Sequence, residues 1–161
     1  MWTDRLRIKK PTILVAEHDR LIRKLLSRAL RSAYHIVETC SAPEAVRTAA
    51  QHSREIDLLL TEARLPGPFA GWQLLELLKL DYPKLKVVYI SKAIDQEIRA
   101  HTHRDKILVL EHPFPNECLQ QAVRETIEDQ RSVWATPTAT SFFLLLRNHF
   151  RRHWWMHRIA S

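Results

Sequence analysis

Residues 57–72 read DLLLTEARLPGPFAGW. The apolar run Leu58–Leu60 gives way to Thr61 and Glu62, and Gly67 and Gly71, the two glycines of the whole chain, follow within ten positions. A short apolar run bounded by turn residues is the pattern of a strand buried on both faces. The next segment, GWQLLELLKLDY, places Leu74, Leu75 and Leu78 at helical spacing, so they face inward from a helix. The stretch is therefore one strand, one glycine-containing loop and one helix. A carboxylate stands where the strand runs out.

The same alternation continues in both directions. Towards the N-terminus, PTILVAEHD is a strand over Ile13–Ala16 that ends in acids. Asp19 is placed to cap a helix to about Arg31, with Leu21, Ile22, Leu25, Leu26 and Leu30 on one face. HIVETC is a second strand, and SAPE (Ser41–Glu44) has capping-box spacing with Pro43 in the first turn, opening a helix to about His52. Towards the C-terminus come the strand KVVYIS, a short weak helix DQEIRAHT, the strand ILVL, and the helix NECLQQAVRETIED with Leu119, Val123 and Ile127 in register.

Five apolar strands, each followed by a helix, predict an α/β domain: a doubly wound five-stranded parallel sheet with helices on both faces. The functional crevice of such a sheet lies beyond the carboxyl ends of its strands. The candidate residues are therefore Glu17, His18, Glu62, Ser91, Glu111 and His112. With both glycines in one loop, no glycine-rich turn follows the first strand, which excludes a P-loop or a dinucleotide-binding fingerprint.

The formal net charge of +7 belongs to the ends of the chain. Residues 1–11 carry four basic residues and one acid, residues 132–161 carry four arginines and no acid, and residues 12–131 carry seventeen of each sign. The central domain is thus not itself a polyanion binder. Two cysteines, Cys40 and Cys118, are too few for a disulfide framework and are expected to be reduced and packed in the fold. No secretory signal and no apolar run of about 18 residues is present, so a soluble, cytoplasmic protein is expected.

The expected organisation is a basic N-terminal segment (1–11), the α/β domain (12–130), a polar linker (131–140) and a basic, aromatic, helical tail (141–161). In the tail, Leu146, Phe150 and Trp154 share a helix face, with Arg147, Arg151, Arg152 and Arg158 as the basic side. That is the pattern of an interfacial helix at a membrane surface, or of a helix docking on a partner. Four arginines are a thin footprint for nucleic acid. His149, His153 and His157 have metal-binding spacing, but no acid or cysteine accompanies them.

The segments ILVAEHDRLIRKLL, DLLLTEARLPGPFAGWQLLELLK, VVYISK and LEHPFPNECLQQAV resemble the receiver domain of bacterial two-component response regulators, over about residues 11–130. The resemblance implies a flavodoxin-like fold. It also implies an aspartate after the third strand that accepts a phosphoryl group, and two acids after the first strand that hold Mg²⁺. A Ser/Thr after the fourth strand and a Lys after the fifth bind the phosphoryl oxygens. The cation and the ammonium neutralise the repulsion between the attacking carboxylate and the phosphoryl donor.

Residue by residue, this chain departs from that pattern. Glu62 stands at the phosphoacceptor position, Glu17 and His18 at the acid pair, Ser91 at the hydroxyl position and His112 at the Lys position, before Pro113 and Phe114. Val109 replaces the aromatic switch residue, and Lys92 the small residue after the hydroxyl. Glu62 carries its carboxylate out by over ~1 Å, a misplacement that can cost about a hundredfold in rate. His18 removes a hard oxygen, so Mg²⁺ binding by Glu17 and Glu62 is weakened, and two carboxylates with a histidine suit Mn²⁺ or Zn²⁺ better.

His112 is shorter than Lys and mostly neutral at pH 7 unless its pKa is raised, as neighbouring carboxylates would do to a histidine in the site. The plainer expectation is two histidines satisfied by hydrogen bonds. Glu62 either places charge where a phosphoryl group would sit or caps an inactive crevice, and a single carboxylate lacks the charge and oxygens of a phosphoryl group.

The resulting reading is a stand-alone receiver-like signalling domain, not an enzyme, that acts by protein–protein interaction without ordinary phosphorylation. Its partner would be a histidine kinase or a downstream regulator. The family's usual partner face corresponds to about Asp95–Asp129. Two alternatives are a phosphoacceptor in a His–Asp type phosphorelay that uses Glu62, and an adaptor tethered to a membrane or polyanion through the tail.

Overall fold

The computed structural model describes residues 10–103 and 107–129. The basic segment 1–11, save its last two residues, lies outside them, as do the linker 131–140 and the tail 141–161 with its three histidines.

Five strands alternate with five helices. The first half runs β1 (Thr12–Ala16), α1 (Arg20–Leu30), β2 (His35–Thr39), α2 (Ala42–Gln51) and β3 (Leu58–Glu62). The second half runs α3 (Gly71–Lys79), β4 (Lys86–Ser91), α4 (Gln96–His103), β5 (Leu108–Glu111) and α5 (Asn116–Glu128). Every pairing is parallel, and the spatial order is β2-β1-β3-β4-β5. The expected doubly wound sheet is what forms. β3 runs past its leucines to include Thr61 and Glu62, so the carboxylate ends the strand itself.

Successive side chains of a strand point to opposite faces, and the core divides accordingly. Leu14, Leu59, Val87 and Tyr89 pack with α2, α3 and Ile98 of α4. Ile13, Val15, Leu58, Leu60, Val88 and Ile90 pack with Leu26 and Leu30 of α1 and Leu119, Ala122 and Val123 of α5. Helix starts follow the capping chemistry of the sequence. Asp19 Oδ1 accepts from the backbone N–H groups of Leu21 and Ile22 at 2.8 and 3.1 Å. Ser41 Oγ accepts from Glu44 N at 3.3 Å, while Glu44 Oε2 reaches back to Cys40 N at 2.6 Å, one residue before the cap.

Two expectations are corrected. Leu21 and Leu25 do not share the buried face of α1: they are 76% and 61% exposed, whereas Leu26 and Leu30 are buried. Five apolar positions make too broad a stripe for one helix against a sheet, and packing beside α5 selects the row Ile22, Leu26, Leu30. Cys40 is exposed and Cys118 partly so, because Cys40 lies in the turn before α2, not in a packed element.

Candidate functional site

The site is built by strand ends brought level by the register of the sheet. Ala16 pairs with Thr61, which sets the next residues, Glu17 and Glu62, side by side. Two threonines fasten the end of β1 to its neighbours: Thr39 Oγ1 donates to Val15 O and Thr61 Oγ1 to Ala16 O, each at 3.0 Å. Glu17 N donates to Thr39 O at 3.1 Å, Ala63 N to Ile90 O at 2.7 Å, and His112 N to Ser91 O at 2.8 Å. Each strand thus hands its last residue to the same edge. Gly71 at the start of α3 donates to Ala63 O at 3.0 Å, and Gly67 in the intervening loop has a φ of +115°, a conformation that other residues rarely adopt.

At that edge Glu17, His18 and Glu62 form one cluster, with a ligand atom of each within 4.8 Å of the others. His18 Nδ1 lies 2.9 Å from Glu62 Oε2 and 3.1 Å from Glu17 Oε1. Glu17 is buried, at 2% exposure, while the His18 side chain is 41% exposed. Burial pushes the Glu17 carboxyl above its ordinary range, and the Glu62 charge adds to this; the backbone N–H of Asp19, 2.8 Å from Oε1, and His18 act the other way.

Ser91 and His112 stand at neighbouring strand ends, but their side chains are committed elsewhere. The Ser91 hydroxyl donates to Ala93 O at 2.7 Å and accepts from Ala93 N at 3.3 Å, closing on its own loop. The His112 ring stacks on Phe114, with centroids 4.5 Å apart, and the His112–Pro113 peptide is cis. Its Nε2 is buried without a hydrogen-bond partner among the described residues. Burial lowers the His112 pKa; Glu62 opposes that shift and Lys92 adds to it. His112 is thus not raised by its carboxylate neighbour, in keeping with a mostly neutral ring, and its Nε2 corrects the expectation of a histidine satisfied by hydrogen bonds. Desolvation of the charged ring outweighs the attraction of one carboxylate.

A family description, "Response regulator receiver domain", matches residues 13–124. The chain belongs to this family. Among solved structures, this receiver is similar to the signal receiver domain of an HD domain-containing protein from Pseudomonas fluorescens Pf-5. That pair has 27% identity and a TM-score of 0.67, over 77% of this chain and 99% of the other. The fold is shared with a response regulator receiver domain protein from Clostridium thermocellum (18% identity, TM-score 0.67, 77% and 99% covered). It is shared also with the Vibrio cholerae chemotaxis protein CheY4 (17% identity, TM-score 0.64, 72% and 98% covered). A search of the curated proteins found no match.

Two features of this receiver's site escaped the sequence reading. Arg23, one turn into α1, reaches back beneath the cluster: its guanidinium donates to Glu17 O at 2.6 Å and to His18 O at 3.3 Å. Its place four residues after the Asp19 cap was the available signal. Arg64, two residues past Glu62, ties the β3–α3 loop to the start of α4 by hydrogen bonds to Asp95 and Glu97. Val109, at the position of the aromatic switch, packs partly buried against the α2–α3 side of the core.

The resemblance implies Mg²⁺ at this edge, and the donor set fits it less well than an all-acid set does, although two carboxylates remain. One of the three donors is an imidazole nitrogen, already in contact with both carboxylates. Mg²⁺ demands a near-ideal octahedron of oxygens at ~2.0–2.1 Å. Chemically, the cluster can hold a proton between carboxylate and imidazole, or accept a cation that takes nitrogen and oxygen together.

Proposed function

We propose that this receiver domain works as a signalling module by binding other signalling proteins, with no phosphoryl group carried at Glu62 and no catalytic activity of its own. Receiver domains are signalling modules as a family, and the partner would be a histidine kinase or a downstream regulator. The observation that supports this most directly is the His18–Glu62 contact of 2.9 Å, which engages the carboxylate that stands at the family's phosphoacceptor position. A nucleophile must be free and aligned within about 3–3.5 Å of the atom it attacks.

The surroundings argue in the same direction. Charge building on a transferring phosphoryl group needs preorganised donors and cations. Here the Ser91 hydroxyl is spent on Ala93, and His112 resists protonation. The test is incubation of the purified chain with acetyl phosphate and Mg²⁺, followed by intact-mass measurement. An unchanged mass is expected. An adduct of about 80 Da that maps to Glu62 would overturn the reading in favour of a phosphoacceptor.

A further inference from the structure

The cluster of Glu17, His18 and Glu62 has a donor set and a spacing with their own chemical consequence. Two carboxylates, one of them buried, face a single imidazole. Buried carboxylates are paired or coordinate metals, and one imidazole cannot balance two. A dication can.

The spacing suits a small ion. In a tetrahedral site with ~2.0–2.1 Å bonds, neighbouring ligand atoms lie ~3.3 Å apart. His18 Nδ1 stands 2.9 Å from Glu62 Oε2 and 3.1 Å from Glu17 Oε1, close to that edge length before any adjustment. The outer contacts are also in place. Asp19 N holds Glu17 Oε1 at 2.8 Å, and the Arg23 guanidinium anchors the main-chain carbonyls of Glu17 and His18. Such partners fix ligand orientation and raise affinity. With three protein ligands, the fourth position of a tetrahedral ion stays open to solvent, since His18 is 41% exposed.

We infer that Glu17, His18 and Glu62 form a binding site for Zn²⁺, with His18 Nδ1 and one oxygen from each carboxylate as ligands, and that this site takes Zn²⁺ in preference to Mg²⁺. An imidazole nitrogen suits zinc and is foreign to magnesium. This ion preference is independent of whether Glu62 carries a phosphoryl group.

The test is calorimetric titration of the full-length chain with ZnCl₂ and with MgCl₂. The background is a variant with His149, His153 and His157 all replaced by Asn, so that tail histidines do not report. One zinc per chain is expected, bound at least ~100-fold more tightly than magnesium. His18→Asn and Glu62→Gln should each weaken zinc by ~10–100-fold without changing the far-UV circular dichroism. His18→Asp, which exchanges nitrogen for oxygen, should narrow the gap by weakening zinc and strengthening magnesium. Equal affinity for the two ions, or a zinc affinity untouched by both His18→Asn and Glu62→Gln, overturns the proposal.

Discussion

Gly71 lies directly against the backbone of Glu62. A Cβ at position 71 would stand 2.4 Å from the Glu62 carbonyl oxygen, with Thr61 Cγ2 at 3.1 Å and Ala63 Cα at 3.3 Å. The glycine that opens α3 is thus what lets the helix dock on the end of the strand that carries the site. The close approach explains why a glycine stands there, although φ at this position is ordinary.

Gly71→Ala should therefore destabilise the domain. In an unobstructed helix the same change stabilises by about 1 kcal/mol. Here the atom in the way is backbone, and overpacking costs roughly 1–3 kcal/mol. Urea unfolding of the variant should show a lower midpoint with an unchanged slope. A higher midpoint would mean that α3 can move away from Glu62 at no cost.

Shortening the acceptor alone should not awaken phosphotransfer. Glu62→Asp leaves His18 in the crevice, Ser91 bonded to Ala93 and His112 averse to charge. Mass measurement after acetyl phosphate and Mg²⁺ should show no adduct for this variant. The triple change Glu62→Asp, His18→Asp, His112→Lys restores an oxygen ligand and a fixed cation and should take label. Labelling of the single variant would show that side-chain length by itself silences the site.

Acid should weaken the fold partly through His112. Burial depresses its pKa below 6.5 in the folded chain, so below that pH the unfolded chain binds more protons than the folded one. This contribution to stability is complete above pH 6.5 and is lost as pH falls through the folded-state value. Glu17, with its raised pKa, acts with the opposite sign in its own range, so the comparison must be between variants. Denaturation midpoints at about pH 7.5 and about pH 5 should differ more for the parent chain than for His112→Gln. Equal differences would remove His112 from the acid response.

The two leucine rows of α1 should separate cleanly by mutation. Leu30 is 1% exposed and fills the α1–α5 side of the core, so Leu30→Ala should cost roughly 2–5 kcal/mol. Leu25, at 61% exposure, should change stability by no more than about 0.5 kcal/mol on the same substitution. Denaturant titration of both variants gives the comparison. Similar losses at the two positions would mean that Leu25 is covered in solution.

Much of this is legible in the sequence alone. The strand–helix alternation, the parallel direction of the strands, the caps at Asp19 and Ser41 and the inward leucines of α3 all follow from local patterns, and all are observed. The gathering of Glu17, His18 and Glu62 was legible too, because strands of a parallel sheet end on one edge. Sequence and structure differ where two local patterns compete or where burial decides. Leu21 and Leu25 fit a helical stripe as well as Ile22 and Leu26 do, and nothing local says which row meets α5. Arg64 acts through acids in another loop, and Arg23 through main-chain carbonyls five and six residues back, which a periodicity argument does not see.

The order of residue types along the chain was enough to dictate the element sequence, the buried parallel sheet and the identity of the residues at each strand end. Hydrophobic period and capping are properties of neighbours in sequence. The folded arrangement settled how those strand-end groups are spent: His18 between two carboxylates, Ser91 bonded to Ala93, His112 stacked on Phe114 and resistant to protonation. A side chain's hydrogen-bond partner and its loss of water depend on whatever the fold sets around it, and those surroundings come from distant parts of the chain.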